Sequence, residues 1–193
     1  MKISTGSKLL ILGIVLVVID QIIKVLVKTE MQLGEQIYVI GRWFRLCFVE
    51  NEGMAFGFAF GGKVGKLLLS TFRIILSGAL IVWIRSLVKR GDVPAGVLVG
   101  LTMITAGAIG NIVDCLCYGV IWDYAPVLFG KVVDMFYFPI INTTWPAWLP
   151  VIGGTPFTFF DPVFNFADSC VTVGAFYLIL FQWKFFAAEE KKV

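Results

Sequence analysis

The chain has 193 residues, of which 59% are hydrophobic and only 15% charged, a balance that excludes an ordinary soluble domain and points to a membrane solvent. Its net charge of +3 is dispersed, which leaves no basic stripe for nucleic acid. The absence of histidine removes Ser-His-Asp catalysis, Cys-His catalysis and HExxH zinc sites together.

An apolar run over residues 8–28 predicts a spanning helix, because a helix rising about 1.5 Å per residue needs roughly 20 residues to cross the hydrocarbon. Lys2 and Lys8 look like the leader of a signal peptide. No small-residue cleavage site follows, however, and Asp20-Gln21 interrupts the far end, so the helix is expected to stay uncleaved. Residues 29–65 are more polar and glycine-rich, with β-type runs at Ile37–Ile40 and Trp43–Val49. A second helix is predicted over 66–88 and a third over 94–117, separated by a basic turn. Residues 118–162 hold most of the prolines and several aromatics, as expected of a loop at the membrane interface, and a fourth helix is predicted over 163–186. The four cysteines, Cys47, Cys115, Cys117 and Cys170, form neither a CxxC pair nor a zinc spacing and read as packing residues.

Lys2 and Lys8, then Arg85, Lys89 and Arg90, then Lys184, Lys191 and Lys192 all fall on one side of this arrangement, which the basic-residue rule assigns to the cytoplasm. The expected fold class is therefore an all-α membrane protein, residues 1–193 forming one domain of four transmembrane helices. Both termini are cytoplasmic and both long loops lie outside.

A charged side chain inside a bilayer costs several kcal/mol and asks for a partner or a function. Asp20 and Lys24, four residues apart in the outer third of helix 1, can pair with each other. Gly107, Gly110, Asn111 and Asp114 make one stripe in the outer third of helix 3, where the glycines allow close helix contact. Asn165 and Asp168 open helix 4 at the same level, and Asp134 lies in the apolar string Lys131–Phe136. Two carboxylates held close cannot both ionise easily; one keeps a proton while the other takes one from water, which is the machinery of an aspartyl peptidase. Plainer readings stand beside this one: Asn111 and Asp114 as hydrogen-bonded helix glue, Asp134 as a turn residue, Asp168 as a helix-start residue. Arg73, in helix 2, is explained by snorkelling. A four-span carrier using Asp20, Asp114 and Asp168, and a non-catalytic lipid-binding subunit, are the rival functions; a carrier site belongs nearer mid-membrane.

The chain resembles the bacterial lipoprotein signal peptidases, or signal peptidase II, over nearly its whole length. The resemblance rests on Asp20-Gln21-x-x-Lys24, Asn51-Glu52-Gly53-Met54-Ala55-Phe56-Gly57, Gly107 to Asp114, Val132-Val133-Asp134 and Phe164-Asn165-Phe166-Ala167-Asp168, in that order. It implies a metal-free and cofactor-free monomer in the bacterial cytoplasmic membrane with its site at the outer face. Asp134 and Asp168 would be the catalytic pair, Asn51, Gly53 and Asn111 would place the substrate or the pair, and Asp20, Lys24, Asp114 and Asn165 would support them. The implied partners are membrane lipids and the substrate, a prolipoprotein cut just before its diacylglyceryl cysteine. The implied fold adds a β-cradle in the first outer loop and an amphipathic surface helix in the second. Three features depart from the pattern: Cys115 replaces the usual arginine, Met135 stands where phenylalanine is usual, and the stretch Tyr137 to Asp161 is long.

Overall fold

The computed structural model describes residues 3–52 and 62–190, so Lys2, Gly53 to Gly57, Lys191 and Lys192 lie outside the described residues. In chain order the elements are α1 (Thr5–Glu30), β1 (Gln36–Ile40), β2 (Phe44–Asn51), α2 (Gly62–Arg90) and α3 (Ala95–Val113). A π-helical turn (Asp114–Tyr118) and a last turn α4 (Gly119–Ile121) continue α3. There follow β3 (Val132–Tyr137), β4 (Ile141–Thr144), β5 (Pro156–Phe159), β6 (Val163–Phe164), α5 (Phe166–Phe181) and α6 (Trp183–Glu190).

Among the described residues three helices are long and apolar enough to cross a membrane, Thr5–Glu30, Val64–Arg90 and Ala95–Ile121. The predicted helix over 163–186 is divided: β6 occupies its start, α5 covers 16 residues, and the chain breaks at Gln182 before α6. The expected surface helix in the second long loop is also corrected, since residues 122–162 hold strands and turns. Pro139, Pro146, Pro150 and Pro156 interrupt the later part of that loop, and Val132–Tyr137 in its earlier part pairs as a strand instead.

The chain divides into two compact units. The first comprises Met1–Ile23, Asn51–Val132 and Phe166–Val193. Its core is Leu9, Leu87, Val97, Leu98, Leu101 and Leu178, with Tyr177, Phe185 and Phe186 packed against it. Helices α3 and α5 approach through small residues: a Cβ on Gly100 would lie 2.6 Å from Leu178 Cδ2, and one on Gly174 would lie 2.9 Å from the Gly100 carbonyl oxygen. On the other side Leu10, Ile14, Leu68, Phe72 and Ile75 are exposed, an apolar surface suited to lipid.

The second unit comprises Lys24–Glu50 and Val133–Asn165. Its strands belong to a four-stranded sheet in the order β1-β2-β3-β6, and β4 and β5 form a separate hairpin. Antiparallel pairing sets Gln36 opposite Cys47 and Tyr38 opposite Arg45, and Phe136 opposite Phe164. The pairing gathers an aromatic cluster, in which Phe44 stacks on Phe138 at 4.6 Å and Phe138 lies 5.7 Å from Phe164. Arg45 lies over the Tyr38 ring at 4.7 Å, and Lys28 pairs with Glu50. Burial raises the pKa of the Cys47 thiol, with Arg45 opposing, so it packs as a neutral group.

Close helix contact at Gly174 predicts that Gly174→Val lowers stability by about 1–3 kcal/mol, as overpacking does. Gly78→Val is the control, because nothing lies within 4 Å of a Cβ there. Denaturant midpoints in detergent should fall for the first variant and stay close to the wild-type value for the second.

Candidate active site

In the first unit the site is built around Asp20, which α1 carries to a position only 1% exposed. Its Oδ1 accepts the Ala167 backbone N–H at 2.8 Å, and its Oδ2 accepts from Gln21 Nε2 at 3.1 Å. Ala167 is the second residue of α5, so the carboxylate satisfies one of that helix's orphan N–H groups and sits at the positive end of its dipole. A Cβ on Gly110 would lie 2.6 Å from Asp20 Oδ2, which makes glycine the condition for α3 to pass this close to α1.

Gln21 is the cross-linking residue. Its amide nitrogen also donates to the Gly110 carbonyl at 3.1 Å and to Asp114 Oδ1 at 2.9 Å, while its Oε1 accepts from the Tyr118 hydroxyl at 3.1 Å. Asp114 is fully buried and Tyr118 nearly so. They bracket the π turn, whose extra residue shifts the register of the helix, and such turns recur where function needs a side chain re-aimed. Cys115, at the arginine position of the family pattern, is buried, and its backbone carbonyl accepts the Gly130 N–H at 3.0 Å. One turn earlier, Asn111 Nδ2 donates to Asp168 Oδ1 at 2.8 Å, tying α3 to the first turn of α5.

In the second unit Asp134 lies on β3 and is 3% exposed. Its Oδ1 accepts from Asn165 Nδ2 at 2.7 Å, and Asn165, just after β6, is fully buried. The two aspartates singled out from the sequence thus share one local arrangement, each holding an asparagine amide on Oδ1. An amide N–H donated to a carboxylate fixes the plane of that carboxylate. Nearby, burial and then the Asp161 carboxylate raise the pKa of the Tyr137 hydroxyl, which donates to Asp161 at 3.4 Å.

The structure therefore links Asp20 to Asp114 through Gln21, and Asn111 to Asp168, within the first unit, and Asn165 to Asp134 within the second. Lys24 is fully buried in α1, Asn51 is half-buried at the end of β2, and Gly53 lies outside the described residues. The sequence reading missed Gln21 and Tyr118 as site residues. The signal for Gln21 was present, an amide beside an aspartate in an apolar helix. Tyr118 stands four residues after Asp114, yet nothing in its type distinguished it from an interfacial aromatic. Among the described residues no group of three or more Cys, Asp or Glu side chains is gathered as a metal ligand set.

The comparisons with known proteins agree in direction. A family model described as signal peptidase (SPase) II matches residues 12–184. The chain is 43% identical to the lipoprotein signal peptidase of Porphyromonas gingivalis, the match covering 93% of this chain and 84% of that one. It is 37% identical to the lipoprotein signal peptidase of Amoebophilus asiaticus, over 88% of this chain and 75% of the relative. A solved bacterial membrane enzyme structure, determined by the in meso method at 2.3 Å resolution, matches 92% of this chain and 88% of its own with a TM-score of 0.62. Its sequence is 24% identical, so that likeness speaks for the fold alone.

Loss of the Gln21 amide should be costly because its two N–H hydrogens are shared among three acceptors. Gln21→Leu is expected to destabilise the protein by about 1–3 kcal/mol, the penalty for buried polar groups deprived of a donor, measured as a lowered unfolding midpoint in detergent. Tyr118→Phe, which removes only the hydroxyl bonded to Gln21, should cost about 1 kcal/mol.

Proposed function

The chain belongs to the signal peptidase II family and is a membrane peptidase of the aspartic kind, and from that premise we propose that Asp134 and Asp168 are its catalytic carboxylates. The observation that supports them best is their matched support, Asn165 on Asp134 and Asn111 on Asp168, each through Oδ1. In the proposed reaction one carboxylate, as general base, takes a proton from water while the water oxygen bonds to the scissile carbonyl carbon. The other, as general acid, donates its proton to the developing oxyanion. Collapse of the tetrahedral diol breaks the C–N bond: the proton gathered from water goes to the departing amine, and one diol hydroxyl returns its proton to the acid carboxylate as the C=O of the new carboxyl group forms. Asp20, Lys24, Asp114 and Asn165 are positioning residues in this reading, and Asn51, Gly53 and Asn111 help place the substrate or the pair.

The substrate we propose is a diacylglyceryl prolipoprotein, cut immediately before the lipidated cysteine at the outer face of the bacterial cytoplasmic membrane, by a monomer acting as one peptidase domain. Four spans are proposed, α5 being the fourth. At 16 residues it rises about 24 Å, less than the roughly 30 Å of hydrocarbon, and α6 with Trp183 continues it toward the headgroups. Lys8 near the start of α1, Arg85, Lys89 and Arg90 at the end of α2, and Lys184 in α6 support cytoplasmic termini. Asp20, Asp114 and Asp168 stand toward the opposite ends of their helices, which supports an outward-facing site. The hairpin β4–β5 and its turn expose Ile140, Ile141, Trp148 and Val151, a composition suited to resting in the outer headgroup layer.

Asp134→Asn and Asp168→Asn should each lower the cleavage rate of a lipidated prolipoprotein peptide by about 10²–10⁴-fold or more while the unfolding midpoint holds. Full activity in either folded variant rejects the pair. Asn111→Ala and Asn165→Ala should fall about 10- to 100-fold in kcat, the loss expected when one hydrogen bond to a carboxylate is removed, with a smaller change in KM. Single-turnover assays of the purified protein read both outcomes.

A further inference from the structure

The first unit contains a groove between α1, α2 and α3 that the peptidase reading does not use. Its volume is about 810 Å³, within the range of about 300–1,000 Å³ typical of small-molecule sites. It runs along α1 from Ser4 to Val18, a rise of roughly 21 Å, and so covers more than one leaflet of a hydrocarbon core roughly 30 Å thick. Leu10, Ile14 and Val18 on its rim are exposed, so the groove opens sideways, where lipid would be.

Its two ends differ in chemistry. On the deep wall Thr102 and Thr105 return their hydroxyls to the carbonyls of Leu98 and Leu101 at 2.7 and 2.8 Å, which leaves methyl groups as the lining there. At the other end Arg85 and Lys89, one turn apart on α2, face Ser4 and Ser7 at the start of α1. Among the described residues neither cation has a carboxylate partner, whereas Arg90 next to them pairs with Asp92 at 3.1 Å. An apolar trough ending in two uncompensated cations and hydroxyl groups matches a molecule with an acyl chain and an anionic head.

We propose that this groove is a binding site for an anionic phospholipid. Its phosphate lies against Arg85 and Lys89, and an acyl chain lies between α1, α2 and α3. The charges argue against the obvious alternative, the hydrophobic stretch of a signal peptide, because that stretch begins with basic residues that Arg85 and Lys89 repel. They argue equally against the diacylglyceryl group of a substrate, which carries no phosphate. The bound lipid would fill the gap between three helices and stabilise the folded state in proportion to its occupancy.

Native mass spectrometry of the detergent-purified full chain, titrated with phosphatidylglycerol or with phosphatidylcholine of the same acyl chains, tests the site. Wild type should retain phosphatidylglycerol preferentially and show a raised unfolding midpoint with it. Arg85→Gln combined with Lys89→Gln should weaken that binding about 30-fold, the factor that two headgroup charges contribute. Gly13→Leu fills the trough: its Cβ meets only Thr102 Cγ2 at 3.7 Å, so the chain still folds, and binding of both lipids should drop. Glycerol phosphate without acyl chains should not compete. Equal binding of the two lipids by wild type, or undiminished binding by either folded variant, would overturn the proposal. Peptidase activity is read separately and should persist in both variants.

Discussion

A carboxylate drawn into a bilayer must bring its hydrogen-bond donors with it, and the way Asp20 obtains them shapes the helical half of this protein. The Ala167 N–H comes from the start of α5 and the Gln21 amide from α1 itself, so satisfying one acid fixes where a second helix begins. Gln21 then reaches α3 through Gly110 and Asp114. The alternative, a buried charge without donors, would cost several kcal/mol, more than any single helix contact returns. Gly110 follows from the same constraint, because a methyl group there would occupy the space of the Asp20 carboxylate.

Donor supply also explains the asparagines. An amide side chain inside a membrane is tolerable only when its own hydrogens are used, and Asn111 and Asn165 spend theirs on Asp168 and Asp134. Each acid is thereby held in one plane by an element of its own unit, α3 in one case and the chain after β6 in the other. Such support suits the role proposed for the two acids, since a small displacement of a reacting oxygen costs rate steeply. The π turn after α3 belongs to the same design: it brings Asp114 and Tyr118 to a single glutamine.

The second unit solves a different problem. Short strands need a packed face to persist, and here rings supply it, with Phe44 of β2, Phe138 just after β3 and Phe164 of β6 stacked together. Asp134 lies within this sheet, on β3. Residues 137–161 carry the β4–β5 hairpin, in which Ile141 pairs with Phe159 and Thr144 with Pro156. Cys115 is buried, and the backbone at Gly130 closes on the carbonyl oxygens of Asp114 and Cys115, donating its N–H to the latter.

Sequence alone determined the membrane solvent, three of the spans, the first two strands, and the polar residues that gather at the helix ends. All of these follow from local composition and periodicity, which a single segment carries by itself. Tertiary structure decided which distant donor serves which acid, because those pairs join residues 31 to 147 apart in the chain, as Asn165 with Asp134 and Ala167 with Asp20. It also decided that Val132–Tyr137 is a strand. With its first four residues all buried, that segment lacks the alternation that marks a half-exposed strand, and only its neighbours in the sheet distinguish it from a loop. The division of the last helix at Gln182 and the hairpin in place of a surface helix belong to the same class, outcomes that hydropathy does not register.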